Sequence, residues 1–136
     1  MVTRYLIDSS AVSKYLEERL PETGLAFMDA IFDVESNISV IAKIELLTWN
    51  PGENDLQEKV ATFAEDSAVY ELSDTIVDQT IQIRRKYRLK TPDAIIAATA
   101  LVNNLTVVID NERDFNNIKG LKWINPARLS APPTPH

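Results

Sequence analysis

The chain reads as an α/β domain, a three-layer α/β/α sandwich around a mostly parallel central sheet. Three observations point there. Short runs of aliphatic and β-branched residues alternate along the chain with longer stretches of helical periodicity. Two of those runs, Tyr5-Leu6-Ile7 and Thr106 to Ile109, lead straight into aspartates, Asp8 and Asp110. The segment Asp93 to Asn103 is apolar on nearly every side, the pattern of a helix enclosed by other structure. Alternating strands and helices build a parallel sheet covered on both faces. Ligands of such sheets bind beyond the carboxyl ends of the strands, where Asp8 and Asp110 fall.

The elements follow in order. Thr3 to Ile7 is a short buried strand. Ser10 is placed to cap a helix over Ala11 to Arg19, and Pro21 and Glu22 open a second helix with Leu25, Phe27, Met28, Ile31 and Phe32 on its apolar face. Asn37 to Val40 is a brief strand. Ala42 to Trp49 is a helix stopped by Asn50-Pro51-Gly52. A polar helix covers Asp55 to Glu65, and Ala68 to Leu72 is a strand. Asp74 can cap a helix running to Tyr87, with Ile76, Val77, Thr80, Ile81 and Arg84 near helical spacing. Thr91 caps the apolar helix, with Pro92 at its favoured first position. Thr106 to Ile109 and Leu121 to Ile124 are the last strands. The 136 residues fit a single domain over 1–126 followed by a Pro-rich tail, 127–136, loose from Ala131 to His136.

Composition removes several classes of chemistry. There is no cysteine, so disulfides and thiolate metal sites are excluded. The one histidine is His136, the last residue, which argues against a Ser-His-Asp triad and a histidine-rich metal centre. Gly24, Gly52 and Gly120 stand too far apart for a phosphate-binding loop. No apolar run is long enough for a membrane helix and no secretory leader is visible, so a cytoplasmic protein without membrane attachment is expected. The net charge of −6 opposes nucleic-acid binding unless several acids share one metal site. Two divalent cations would offset four of those six charges.

Chemistry must then come mainly from carboxylates, and five of them lie at the edges of apolar segments: Asp8, Glu45, Asp93, Asp110 and Asp114. Each has an ordinary role open to it. Asp8 can cap a helix, Glu45 can be an exposed helical acid, Asp93 suits a helix dipole, and Asp110 and Asp114 can be turn acids. Gathered together, they would repel strongly. Two carboxylates about 5 Å apart cost roughly 3 kcal/mol at an effective dielectric of about 20. A hard cation with oxygen ligands, Mg²⁺ or Mn²⁺, relieves that repulsion.

The order of these acids resembles the PIN-domain family, in particular the VapC-type toxins of bacterial toxin–antitoxin pairs. Four patterns carry the likeness: Tyr5-Leu6-Ile7-Asp8-Ser9-Ser10; Ser39 to Leu46 with Glu45; Lys90-Thr91-Pro92-Asp93 through Ala100; and Val107-Val108-Ile109-Asp110-Asn111-Glu112-Arg113-Asp114-Phe115. The likeness spans Tyr5 to about Pro126. It implies a metal-dependent endoribonuclease in which Asp8, Glu45 and Asp93 match the main acids. Asp114 matches the acid before the phenylalanine, Asn111 a polar position near the metal, and Ser10 a hydroxyl close to it. It also implies a homodimer and a cognate antitoxin that inhibits the site. Ile109 stands where the family usually has threonine, which leaves open whether Asp110 or Asp114 faces the metal.

The expected chemistry is metal-assisted phosphodiester hydrolysis on RNA, with one cation or two left open. Asp8 and Asp93 are the expected ligands, and Glu45 and Asp114 complete the site or take the nucleophile's proton. Five of the seven residues from Arg84 to Lys90 are basic. They can position phosphate or form a solvated helix end. Arg84 and Lys90 are the substrate-binding candidates, and Arg113 can touch RNA or pair with an acid. Trp49 can stack on a base, although core or interface packing is the ordinary reading. Two other classes compete. One is a catalytically inert scaffold of the same fold. The other is a phosphotransfer domain using Asp8, against which Ser10 stands where a second aspartate belongs.

Overall fold

The computed structural model describes residues 2–129. It comprises β1 (Tyr5–Ile7), α1 (Ser9–Leu16), α2 (Glu22–Phe32), β2 (Asn37–Ser39), α3 (Val40–Thr48), α4 (Asn54–Asp66), β3 (Ala68–Tyr70), α5 (Asp74–Lys86), α6 (Thr91–Asn103), β4 (Thr106–Val108), α7 (Glu112–Phe115), β5 (Trp123–Ile124) and a 3₁₀ turn at Pro126–Arg128. All strand pairings are parallel. β4 lies between β1 and β5, and β2 pairs with β3. β1 and β2 lie side by side, giving the spatial order β3-β2-β1-β4-β5. At that seam the buried Asn37 amide donates to the Tyr5 carbonyl at 3.1 Å. The Arg4 guanidinium grips Glu35 with two hydrogen bonds, 2.8 and 3.0 Å. Side chains therefore stitch the two strand sets together.

Alternation along each strand divides the core in two. Leu6 and Val107 point into a cluster with α5 and α6, through Ile76, Ile83, Ala94 and Ile96. Their neighbours Ile7 and Val108 point the other way, against Val12, Met28, Ala42, Leu46 and Val60 of α1 to α4. A strand buried on both faces must be apolar at every position, and these are. α6 explains its own composition: Ala94 through Ala100 are all buried. This is the expected α/β sandwich with a mostly parallel sheet.

The elements differ from the sequence expectations mainly at their ends. The strands are shorter than expected: β1 and β5 begin two residues later, and β2, β3 and β4 end one or two residues earlier. The helix caps move one or more residues towards the N-terminus. Ser39 Oγ accepts from the Ala42 amide at 3.1 Å, and Ser73, not Asp74, caps α5 by accepting from Ile76 at 3.2 Å. Lys90 rather than Thr91 is the capping position of α6, and Asp8 rather than Ser10 that of α1. The one-turn helix α7 was not expected. Its Phe115 is 1% exposed and anchors the loop after β4 in the α5/α6 core.

After β5 the chain packs back on α2. A Cβ on Gly24 would lie 2.0 Å from the Pro126 carbonyl oxygen, so only glycine permits this approach. Thr23 Oγ1 donates to the Leu129 carbonyl at 3.3 Å. The tail expected over Ala131 to His136 lies outside the described residues.

Candidate metal centre

The site forms beyond the end of β1, where Asp8 meets acids carried by α3 (Glu45), α6 (Asp93) and α7 (Asp114). Asp8 leaves β1 with its amide donating to the Val108 carbonyl of β4 at 2.9 Å. Its own carbonyl accepts from Ala11 and Val12 as α1 begins. The side chain is thus fixed at the seam of two strands and one helix. It is buried, and burial pushes its carboxyl above the usual aspartate range. The Ser10 hydroxyl, donating to Asp8 Oδ2 at 2.7 Å, partly offsets this, and the nearby negative charge of Glu45 adds to it.

Asp93 is the second perturbed acid. It sits in the first turn of α6, half-buried, and desolvation is the main cause of its raised pKa. The carboxylates of Asp114 and then Asp8 push in the same direction, against the pull of Lys90. These mutual effects tie the acids together: Glu45 bears on Asp8, and both Asp8 and Asp114 bear on Asp93. Glu45 is oriented by the Ser9 hydroxyl at 3.0 Å, and Asp114 Oδ2 accepts from the Asn111 amide at 2.5 Å.

The other expected site residues divide. Asp110 is drawn elsewhere, to an ion pair with Lys14 Nζ at 2.7 Å. It is therefore Asp114, and not Asp110, that faces Asp93. Lys90 is exposed at the head of α6, within electrostatic reach of Asp93. Arg84 closes the α5–α6 turn, donating to the Leu89 carbonyl at 3.1 Å and to Thr91 Oγ1 at 2.8 Å. That local role accounts for Arg84 without substrate. Arg113 is exposed on α7. Sequence reasoning missed Ser9 and Lys14. Ser9 adjoins Asp8, and Lys14 lies four residues after Ser10 and so on the same helical face; that spacing was the available signal.

The donor set suits a hard divalent cation. It offers only oxygen ligands, and buried Asp8 has no lysine or arginine partner among the described residues. No three acidic side chains among the described residues stand close enough to make a ready-formed cage. Mg²⁺ does not need one. It keeps several waters and commonly binds through one or two carboxylates.

Fold and acidic edge together define a class: a parallel α/β domain carrying carboxylates at the carboxyl ends of its central strands. The chain belongs to the PIN domain family, whose model matches residues 5–121. Solved structures share the fold. A DNA-bound VapBC from Salmonella typhimurium is 20% identical, with TM-score 0.77, covering 92% of this chain and 99% of that one. VapBC-1 from nontypeable Haemophilus influenzae is 17% identical, with TM-score 0.76 and coverage of 93% and 100%. FitAcB from Neisseria gonorrhoeae is 21% identical, with TM-score 0.75 and coverage of 92% and 99%. No curated protein matches the chain. Among the described residues no helix is long and apolar enough to cross a membrane.

Proposed function

We propose that this protein is a metal-dependent endoribonuclease, a VapC-type toxin of a type II toxin–antitoxin pair that works in the cytoplasm. The observation that carries the reading is the pair of desolvated carboxylates, Asp8 and Asp93. Asp8 raises the carboxyl of Asp93, Glu45 bears on Asp8 and Asp114 on Asp93, and no lysine or arginine among the described residues pairs with Asp8. Such a group is costly unless a cation joins it.

Asp8 and Asp93 would hold Mg²⁺ or Mn²⁺, directly or through water, Asp114 would complete the set, and Glu45 would complete the site or take the nucleophile's proton. Bound there, a divalent cation supplies Lewis acidity to a phosphate oxygen and its attacking water. Ser10 and Ser9 keep the carboxylates of Asp8 and Glu45 turned into the site, and Asn111 does the same for Asp114. Lys90, exposed beside Asp93, meets the phosphate backbone. The similar solved structures include toxin–antitoxin complexes from Klebsiella pneumoniae and Mycobacterium tuberculosis. This supports a cognate antitoxin as a partner here, and a homodimer is proposed from the family resemblance alone.

The test is incubation of the purified chain with structured RNAs in Mg²⁺, in Mn²⁺ and in chelator, alongside Asp93→Asn. Cleavage is expected to require metal and to disappear in the variant. Cleavage that persists unchanged in chelator or in Asp93→Asn rejects the assignment.

A further inference from the structure

Next to the acids lies a small pocket of about 130 Å³, lined by Ser9, Ser10, Ser13, Glu45, Leu46 and Trp49. Three of its walls belong to the acidic site: Ser10 holds Asp8, Ser9 holds Glu45, and Glu45 is itself one of the acids. Trp49 reaches it for a helical reason. It ends α3 four residues after Glu45, with its amide donating to the Glu45 carbonyl at 3.0 Å. Residues four apart share a helix face. The ring is half-buried, backed by the core against α1 and α4, so it is held in place while part of it stays open to solvent.

The pocket is far smaller than the roughly 300–1,000 Å³ of sites for drug-sized ligands. It suits a single flat ring. Its walls combine an indole with hydroxyls and a carboxylate that can take hydrogen bonds from a ring's edge. The Ser13 proton is committed to the Ser10 carbonyl at 3.0 Å, which leaves the Ser13 oxygen as an acceptor. An aromatic platform beside polar acceptors is how proteins hold an unpaired base of single-stranded RNA. We propose that Trp49 and this pocket receive one unpaired nucleobase adjoining the scissile phosphate, and so help choose where the RNA is cut. This rests on the nuclease reading above. It predicts that the enzyme cuts in loops or single strands, since a paired base cannot enter.

The chain has two tryptophans, so Trp123→Phe leaves Trp49 as the single emitter. With Asp93→Asn added to prevent cleavage, a short single-stranded oligoribonucleotide of mixed sequence should quench Trp49 emission in a saturable way. An oligomer with the same sugar-phosphate chain and no bases should not. Trp49→Ala should weaken binding about ten-fold or more, and Trp49→Phe should recover most of it. In the cleavage assay Trp49→Ala should raise KM far more than it lowers kcat and should blur the cleavage positions. Equal quenching by the baseless oligomer, or unweakened binding with unchanged cleavage sites in folded Trp49→Ala, overturns the proposal. The two readings fail separately. Cleavage surviving in Asp93→Asn rejects the catalytic assignment. Metal-dependent cleavage indifferent to Trp49 rejects only the base pocket.

Discussion

Two adjacent parallel strands lead into an aspartate, and the two aspartates have opposite surroundings. Ile7 of β1 is in register with Val108 of β4. Asp8 follows the first and Asp110 comes two residues after the second. Asp110 is partly exposed and meets Lys14 at 2.7 Å. Asp8 is buried, accepts from the Ser10 hydroxyl, feels the charge of Glu45, and has its carboxyl pushed up, chiefly by burial. A carboxylate that has found its cation within the chain is finished as structure. One that has been buried without a cation is held ready for something from outside. The difference lies in the partners and in a one-residue offset: buried Ile109 stands level with Asp8, and Asp110 comes one residue later, where the chain faces Lys14.

The largest expected effect follows from that contrast. Asp8→Asn should lower metal-dependent cleavage by at least about 100-fold, since a cation ligand stabilises charge worth several kcal/mol in the transition state. Asp110→Asn should change cleavage by no more than a few-fold. Side-by-side rates on one RNA decide the matter, and equal losses in the two variants would erase the distinction between the strand exits.

A second effect is in stability and has the opposite sign. Folded Asp8 and Asp93 hold their protons more tightly than the unfolded chain, whose aspartates titrate near 3.8. Folding therefore takes up protons in the pH window just above that value. Without metal, the contribution of these two acids to stability is fully present below about 3.8 and is lost as pH rises through their raised values, while Glu35, lowered by its hydrogen bond to Arg4, acts the other way in acid. Asp8→Asn should raise the melting temperature of the metal-free protein at neutral pH, and the gain should vanish in acid. Adding Mg²⁺ should stabilise the wild type at neutral pH and do little for the variant, because the ligand must be deprotonated. Thermal melts across pH, with and without Mg²⁺, check both arms. A destabilised Asp8→Asn at neutral pH would mean that the carboxylate serves the fold.

Much of this was legible from the sequence because it is one-dimensional. Apolar runs such as Val107-Val108 and the all-apolar α6 declare strands and helices buried on both sides, so the layers and the parallel sheet follow. Position beside apolar segments singled out Asp8, Glu45, Asp93, Asp110 and Asp114 alike, and only the family resemblance ranked Asp8, Glu45 and Asp93 first. Pairing across long separations did not. Lys14 and Asp110 are 96 residues apart, and nothing local to Asp110 announces its partner. Arg84 stood out as a phosphate candidate because the basic run ends beside Asp93, and its Nε and Nη1 donations to the turn between α5 and α6 join residues that local sequence does not pair. The turn α7 exists because Phe115 needs burial, a tertiary demand that four residues of local propensity do not reveal.

The smallest expected effect sharpens the comparison from the side of Asp110. The Lys14–Asp110 pair is about a quarter to a third exposed, at 26% and 32% of each side chain. A pair in that setting contributes only about 1 kcal/mol, and less in high salt. Lys14→Met and Asp110→Asn should each destabilise modestly. A double-mutant cycle by denaturant unfolding should return a coupling of about 1 kcal/mol, since direct neighbours do not add. Neither variant should alter the stabilisation by Mg²⁺. If Lys14→Met instead strengthened it, Asp110 would have become available to the cation. Lys14 would then be the residue that keeps the second strand-end aspartate out of the metal site.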